Sequence, residues 1–425
     1  METGTSTAVV RCFSLNVDVD MDSNEPPSPV VTRVYGAGGN GDSMASSKQD
    51  VQLILEGLVS IASQGLQEID LQENYQVIQE LGDGGYGSVL MVKDKKTDDT
   101  MALKLLYRQK TTEFSFLMEF CTSFFLSSHP NIIGIYGTAF MTDDCFAYTQ
   151  ELATNGDLFS LIPSNDGLPE DMVKRCAVQI SSALEFIESK GLVHMDIKPE
   201  NILVFHKDCH LIKITDFGLS RVKGTITKTV SGSRIFMAPE IRQLTDQDTL
   251  VIDSSLDVWS FGVVLCCLLT GKSPWQSADP SDQEYCNFVE WQNNFGSMEL
   301  LSLWRTLSPQ ALKMFSGLLA IDCNRRSKCT KVLMFLDECW KEEIPETTDV
   351  VVATEVKLSE DSGPENVHHS SVSTTSTCST ESYYLTSDSS HGQEHPEHCN
   401  DDIQYPSIFE EVKILVNVSE EVEIG

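Results

Sequence analysis

The sequence predicts an α+β protein with two lobes, the first rich in β-strands and the second rich in α-helices. Three observations lead to this class. Short β-type runs separated by turn residues fill the stretch from 75 to 107. After Gly156, apolar residues recur at helical spacing instead. A chain of 425 residues with 41% hydrophobic content has room for one large two-lobed domain or two ordinary ones, plus tails.

Two segments precede the first lobe. Residues 1–48 are rich in Gly, Ser, Thr and Pro and show no sustained apolar period, so we expect them to be disordered. Residues 49–74 are predicted to be a helical extension that packs on the following domain, and docking to a partner is the alternative. The extension is amphipathic because apolar residues recur at helical spacing, at Val51, Ile54, Leu55, Leu58, Val59 and Ala62.

The segment "LGDGGYGSV" joins the first two β-type runs of the lobe that begins at Tyr75. Its glycines follow the pattern G-x-G-x-x-G, and positions without a side chain let backbone N–H groups approach phosphate oxygens. Because these glycines connect two strands and do not open a helix, they exclude a dinucleotide-binding fold and indicate a flap over a nucleotide. Ordinary hairpins also contain glycine clusters, so the pattern alone is weak. The flap comprises Leu81, Gly82, Asp83, Gly84, Gly85, Tyr86, Gly87, Ser88 and Val89.

Lys104 lies in the apolar run "TMALKLL" that follows the flap. A lysine on the buried face of a strand needs a counter-ion or an anionic ligand, because an unpaired buried ammonium group is costly. The helical stretch 112–126 offers Glu119 as the best partner and Glu113 as the second choice. A solvated surface lysine is the alternative interpretation.

The loop "VHMDIKPEN" contains three of the groups that phosphoryl transfer to a hydroxyl requires. Asp196 is a carboxylate that can orient the hydroxyl and accept its proton, Lys198 a cation for the transferred phosphate, and Asn201 a magnesium ligand. "TDFG" follows and offers Asp216 as the second metal ligand, and "MAPE" closes the segment after it. The ordered series of flap, lysine, loop and metal ligand predicts a protein kinase.

Helices are expected to dominate the second lobe. Residues 168–191 begin with a proline and acids and end with a glycine, as helices often do. The most apolar segment, 258–270, is too short to span a bilayer and is predicted to be a buried helix. The tail, 345–425, is acidic and Ser/Thr-rich without a core-forming period, so we expect disorder. Within it, only 407–418 has enough apolar residues to dock on a protein.

Charge and cysteine content exclude several classes of partner. The net charge of −33 argues against nucleic acid and against anionic membranes. The thirteen cysteines form no CxxC pair, and the first residues lack the basic and apolar pattern of a secretory leader. We therefore expect a cytoplasmic protein with reduced thiols. We also expect it to be a monomer.

Over residues 75–341 these motifs resemble the eukaryotic protein kinases. The stretches "GDLFSLIP", "GLPEDMVKRC", "LVHMDIKPENILVF" and "NFVEWQ" are similar to the Src-homology-3-binding serine/threonine kinase family, as is the helix before the domain. The resemblance implies a two-lobed protein-kinase-like fold: an antiparallel sheet plus a C helix in the N-lobe, and a mainly helical C-lobe. It also implies ATP and Mg²⁺ as co-substrates and Ser or Thr hydroxyls of proteins as acceptors.

The resemblance assigns roles to single residues. In the catalytic set these are Lys104 at the α- and β-phosphates, Glu119 as its partner, Asp196 as base, Lys198 at the γ-phosphoryl group, and Asn201 and Asp216 at magnesium. Around the nucleotide they are Leu81, Val89, Ala102 and Leu203 at the adenine, Gln150 as gatekeeper, the backbone of Glu151 and Leu152 at the adenine edge, and Asp157 at the ribose. Supporting roles are Ser233 beside Lys198, Asp257 bracing the catalytic loop, and Glu240 pairing with Arg326.

The chain departs from the family pattern at Met195, where an arginine is usual. That arginine commonly meets a phosphate on the activation segment, and methionine carries no charge with which to do so. No group that touches ATP, metal or hydroxyl is missing, so we expect an active enzyme that does not depend on activation-segment phosphorylation by this route. A nucleotide-sensing scaffold acting through its tails is the rival hypothesis. The family's name suggests proline-rich ligands, but "PPSP" lacks an arginine at the expected spacing, so we do not expect that partner.

Overall fold

The structure, a computed structural model, describes four stretches of the chain: residues 34–35, 41–163, 166–294 and 303–342. For 34–35 and 41–49 it describes the backbone alone. The acidic tail, with the docking segment predicted at 407–418, lies outside the described residues, as does most of 1–48. Among the helices that are described, none combines the length and the apolar character needed to cross a membrane.

The segment before the first lobe contains four elements where the structure describes it. Its elements are β1 (Val34–Tyr35), α1 (Gly41–Gly65), β2 (Gln67–Glu68) and α2 (Leu71–Asn74). The sequence predicts a helix only from residue 49, so α1 begins eight residues earlier and enters the region expected to be disordered. Residues 41–48 contain no proline and include methionine, alanine and lysine, through which a helix nucleated by the apolar turns can extend.

A twisted sheet with one packed helix forms the first lobe. The remaining elements of this lobe are β3 (Tyr75–Asp83), β4 (Gly87–Asp94), β5 (Thr100–Tyr107), α3 (Glu113–Leu126), β6 (Ile135–Met141) and β7 (Cys145–Gln150). The strand order is β2-β6-β7-β5-β4-β3, and every pair is antiparallel except β2 with β6. Helix α3 begins at the Thr112 cap and packs on β6 and β7.

The second lobe is built around one almost completely buried helix. Its helices are α4 (Leu158–Leu161), α5 (Glu170–Ser189), α6 (Pro239–Arg242), α7 (Ser255–Thr270), α8 (Gln283–Asn293) and α9 (Pro309–Leu318). Helix α7 is buried from Leu256 to Leu269 and contacts α5 and α9, which agrees with the buried helix predicted near 258–270. The predicted α+β class and the two-lobed arrangement are confirmed.

Short strands hold the loops where the two lobes meet. They are β8 (Leu192–Val193), β9 (Ile202–Val204), β10 (Ile212–Ile214), β11 (Arg221–Val222), β12 (Ile226–Thr227) and β13 (Thr249–Val251). β9 pairs with β10, and β8 pairs with β11. β13 pairs with β12 on one side and with β1 on the other. The loops that carry Asp196 and Asp216 are therefore each framed by backbone hydrogen bonds.

A buried ion pair joins α6 to the end of the helical lobe, as the family resemblance implied. Arg326 donates two hydrogen bonds to Glu240, at 2.7 and 3.0 Å. The guanidinium also donates to the carbonyls of Ala320 and Ser255, and it lies over the Trp259 ring. All four groups are tied to one cation, so removing that cation leaves a buried carboxylate without a partner.

We predict that Arg326→Met lowers the free energy of unfolding by about 3–5 kcal/mol, because Glu240 stays buried without its counter-charge. Chemical denaturation of the variant and the wild type measures the loss. Arg325→Met is the matched control, since Arg325 is the exposed neighbour and its replacement should change stability by less than about 0.5 kcal/mol. Equal effects of the two substitutions would contradict the assignment.

Candidate active site

Lys104 is the cation at the centre of the cleft between the lobes. Its Nζ lies 2.6 Å from Glu119 on α3 and 3.1 Å from Asp216. Burial alone would lower the pKa of Lys104, but the charges of Asp216 and Glu119 raise it well above its usual value. The alternative partner, Glu113, instead accepts a hydrogen bond from Ser63. The structure thus selects Glu119 and excludes the surface-lysine interpretation.

Two neighbours fix the Glu119 carboxylate in place. Tyr148, the cross-strand neighbour of Lys104 on β7, donates its hydroxyl to Glu119 at 2.9 Å. Gly218 lies so close that a Cβ there would be 2.8 Å from Glu119 Oε2, so only glycine fits without a shift. Glu119 is therefore held by groups from three separate segments.

Asp196 is surrounded by hydrogen-bond donors from its own loop and from the segment that follows. Lys198 Nζ lies 2.7 Å from Asp196 Oδ2, and Asn201 Nδ2 donates to the same oxygen at 3.0 Å. Ser233 donates its backbone N–H to Asp196 Oδ1 at 3.4 Å, while its hydroxyl lies 3.2 Å from Lys198 Nζ. Ser233 thus bridges the two residues, with its backbone N–H on Asp196 and its hydroxyl on Lys198, and not with the hydroxyl alone.

The loop itself hangs from a buried carboxylate on α7. Asp257 Oδ2 accepts the backbone N–H of His194 at 2.7 Å, and Oδ1 accepts that of Met195 at 2.9 Å. Asp257 is only 4% exposed, and burial raises its pKa. Met195 has a left-handed backbone (φ 71°), which the two hydrogen bonds stabilise in a residue that is not glycine.

The His194 ring connects the loop to the segment of Asp216. Its Nδ1 accepts the N–H of Asp196 at 3.2 Å, and its Nε2 donates to the Thr215 carbonyl at 3.1 Å. This hydrogen-bond pattern assigns the neutral tautomer with the proton on Nε2. The ring also packs on Phe217, with centroids 4.8 Å apart. Positions of Asp196 and Asp216 are thereby coupled.

Groups suited to a magnesium ion lie on this coupled pair of segments. The positive charge of Lys104 is the largest cause that lowers the pKa of Asp216, so its carboxylate stays ionised. Because Asn201 donates its amide N–H to Asp196, its amide oxygen is the atom left to face a metal. Oxygen ligands of this kind are those Mg²⁺ prefers, and the donor set fits that ion.

The flap is tied down at its base and open at its tip. Gly87 sits so close to β5 that a Cβ would lie 1.9 Å from the Leu105 carbonyl, whereas Gly82 and Gly85 have open space beside them. Lys110 Nζ donates to the Gly85 carbonyl at 2.6 Å, and Tyr107 lies 3.3 Å from Asp83. Exposed residues surround this opening: Leu81, Gly84 and Tyr86.

Residues assigned to the adenine site lie on the facing walls of the cleft. Ala102 on β5 is buried and pairs across the sheet with Gln150. Gln150 is also buried, and its Oε1 has no hydrogen-bond partner among the described residues. From the other lobe, Leu203 on β9 forms an isolated β-bridge with Asp157. Apolar residues beside one unpaired polar atom suit a planar base with hydrogen-bonding edges.

Two residues assigned from the resemblance, Glu151 and Asp157, already have other partners. The backbone N–H of Glu151 donates to Gly134, so that from this residue only the carbonyl could meet an adenine edge. The Glu151 side chain pairs with Lys213 at 2.6 Å. Asp157 caps α4 by accepting the N–H of Ser160 at 2.8 Å. Leu152 follows Glu151 and is half-buried.

The supporting roles of Tyr148 and Lys223 were not predicted from the sequence. Tyr148 could have been, because strand alternation places it on the face of its cross-strand neighbour Lys104. Lys223 could not, since its partners come from separate parts of the chain. It lies 2.5 Å from Glu188 and 3.1 Å from Ser254.

Comparison with known proteins agrees with this geometry. The family model described as "Protein kinase domain" matches residues 75–335. Serine/threonine-protein kinase SBK1 of Danio rerio is 44% identical over 297 residues, which cover 70% of this chain and 77% of the relative. Serine/threonine-protein kinase SBK2 of Rattus norvegicus is 35% identical over 309 residues, 72% of this chain and 85% of the relative. Serine/threonine-protein kinase meng-po of Drosophila melanogaster is 35% identical over 272 residues, 64% and 59% respectively. The chain belongs to the protein kinase family and is a serine/threonine kinase, a phosphotransferase.

Proposed function

We propose that this kinase phosphorylates Ser and Thr hydroxyls of proteins with Asp196 as its base, and that it does so without phosphorylation of its activation segment. The observation that carries the first part is the set of donors around Asp196. Lys198, Asn201 and Ser233 all lie within hydrogen-bond distance of this carboxylate or of each other. Such a carboxylate is held in one orientation before a substrate arrives.

The chain's own residues divide the work of phosphoryl transfer. ATP would supply the phosphoryl group, and Asn201 and Asp216 would hold a magnesium ion that would neutralise phosphate charge. Asp196 orients the acceptor hydroxyl and takes its proton, and Lys198 stabilises negative charge on the transferred group. Lys104 positions the phosphates from above, with Glu119 fixing its ammonium group. We further propose that the glycine-rich flap covers the phosphates and that Leu81, Val89, Ala102 and Leu203 enclose the adenine.

Support for phosphorylation independence comes from the surroundings of Met195. The residue is buried and lines a cavity of about 10 Å³ together with Phe236, Met237 and Leu256. These three neighbours are apolar, and Asp196, Ser233 and Ser260 are the polar residues that share the lining. Met195 thus packs beside apolar groups and carries no charge with which to bind a phosphate on the activation segment.

A cluster of fixed charges anchors the start of the same segment. Lys223 Nζ lies 2.5 Å from Glu188 and 3.6 Å from Asp253, and its backbone N–H donates to the Gly191 carbonyl at 2.8 Å. Burial opposes these charges, but the contacts raise the pKa of Lys223 and lower those of Glu188 and Asp253. The cluster is thus stabilising at neutral pH, and its contribution is lost as the pH falls through the lowered carboxylate pKa values.

The cellular setting remains part of the proposal. The described cysteines are free thiols and most are buried, as in a protein of the reducing cytoplasm. We propose a cytoplasmic monomer that acts on protein substrates. Docking of a partner through 407–418 stays a prediction from the sequence, since that segment lies outside the described residues.

Asp196→Asn should lower kcat by about 10²–10⁴-fold, because the amide can no longer accept the hydroxyl proton. Phosphotransfer from Mg-ATP to a basic Ser/Thr peptide mixture measures it, with Asp216→Asn as a second inactive variant. Asp208→Asn is the control: Asp208 is an exposed carboxylate close in sequence to the active-site segments, and its loss should leave kcat unchanged. Wild-type activity no higher than that of Asp196→Asn would refute the enzymatic proposal.

Alanine substitutions in the activation segment should be mild at Thr225, Thr227, Thr229 and Ser231, with kcat within about twofold of wild type. Ser233→Ala should be the exception, because its hydroxyl contacts Lys198 beside the base. Steady-state assays of the variants, and of the wild type before and after phosphatase treatment, measure both. A large loss of kcat on mutating Thr225, Thr227 or Thr229, or on dephosphorylating the wild type, would contradict the argument from Met195.

Lys223→Met should lower kcat of the unphosphorylated enzyme by about tenfold, because the ionic anchor of the activation segment is removed. Lys228→Met is the matched control, since Lys228 is exposed in the same segment. Limited proteolysis should cut the Lys223→Met segment faster. Equal activity of the two variants would show that the cluster does not order the segment.

A further inference from the structure

The N-terminal helix α1 contacts both lobes, including α3, the helix that carries Glu119, and β11, which follows the Asp216 segment. On the first lobe it packs on α3 and β6, and on the second it contacts β11. Val51 touches the second lobe so closely that a Cβ on Gly191 would lie 3.0 Å from its Cγ2. The helix is therefore a bridge and not an appendage of one lobe.

The contact with α3 lies opposite the catalytic side of that helix. Glu119 faces inward to Lys104, whereas Phe120, Cys121 and Phe124 line a pocket with Leu58 and other residues of α1. Leu55 and Leu58 are almost completely buried in the same apolar core as Phe120. An outward movement of α3 would have to displace these leucines and would lengthen the Lys104–Glu119 ion pair.

Further contacts tie the extension to its neighbours on both sides of α1. Ser63 donates to Glu113 at the first turn of α3, at 2.9 Å. β2 continues α1 into the edge of the sheet beside β6, and the Ile69 N–H donates to the Met141 carbonyl. β1, ahead of α1, pairs with β13, whose other edge holds β12 of the activation segment. One continuous stretch of chain thus touches α3 and the sheet that orders the activation segment.

We propose that α1 is a built-in activating brace, in which Leu55 and Leu58 are positioning residues that hold α3 so that Glu119 pairs with Lys104. The inference rests on the proposed role of Lys104 and deepens it. An apolar pocket of about 50 Å³, partly open to solvent, lies where α1, α3 and β6 meet beside Leu58.

The test compares two leucines of the same helix in the full chain. Leu58→Ala should lower kcat at least about fivefold and raise the KM for ATP, since α3 spends less time in the paired position. Leu53→Ala is the matched control, because Leu53 is 64% exposed, and it should change neither constant. Leu58→Met should restore activity, because it refills the site. Should Leu58→Ala fail to fold, Leu58→Val replaces it in the same assays.

Two measurements separate bracing from general loss of stability. Hydrogen exchange should become faster in α3 of Leu58→Ala while the amides of α9 keep their wild-type rates. In a Glu119→Gln background, Leu58→Ala should lower the residual kcat by less than about twofold, because the pair it supports is already broken. An undiminished loss in that background, or faster exchange throughout both lobes, would overturn the brace. Asp196→Asn tests the enzymatic proposal separately, since it leaves α1 and α3 untouched.

Discussion

The acceptance of two backbone N–H groups by the Asp257 carboxylate is the contact on which the catalytic loop depends. Asp257 lies on α7, which is buried from Leu256 to Leu269, so the loop is attached to the core of the second lobe. The His194 ring then links this loop to Thr215, the residue before Asp216, by one hydrogen bond on each of its nitrogens. The base and the metal ligand keep their spacing because both are tied, by short steps, to one buried helix.

Sequence patterns were sufficient for groups whose chemistry depends on local spacing. Asp196, Lys198 and Asn201 lie in one loop, and the structure brings their side chains together. The choice of Glu119 over Glu113 needed the structure, because both lie on the same helix and only its rotation about the sheet decides which one faces Lys104. The Lys223 cluster could not be predicted at all, since its partners are 35 and 31 residues away.

The start of α1 shows the opposite limit. The helical spacing of its apolar residues predicted the turns that pack on the domain. The polar residues before them show no such spacing, so their composition predicted disorder. A helix extends cooperatively from turns that are already packed, and the composition of residues 41–48 alone does not reveal this. The same holds for β1, a strand of two residues that depends wholly on the edge of β13.

Gln150 gives the cleft a means of discriminating among ligands. Its side-chain carbonyl oxygen is buried and accepts no hydrogen bond from the described residues. The folded protein therefore already carries the unfavourable free energy of desolvating this oxygen before a ligand binds. A compound that places a donor at that depth, next to Ala102, recovers this cost, whereas one that places a halogen or a methyl group there does not. One unpaired atom thus gives the cleft a preference for ligands that bring a hydrogen-bond donor to this position.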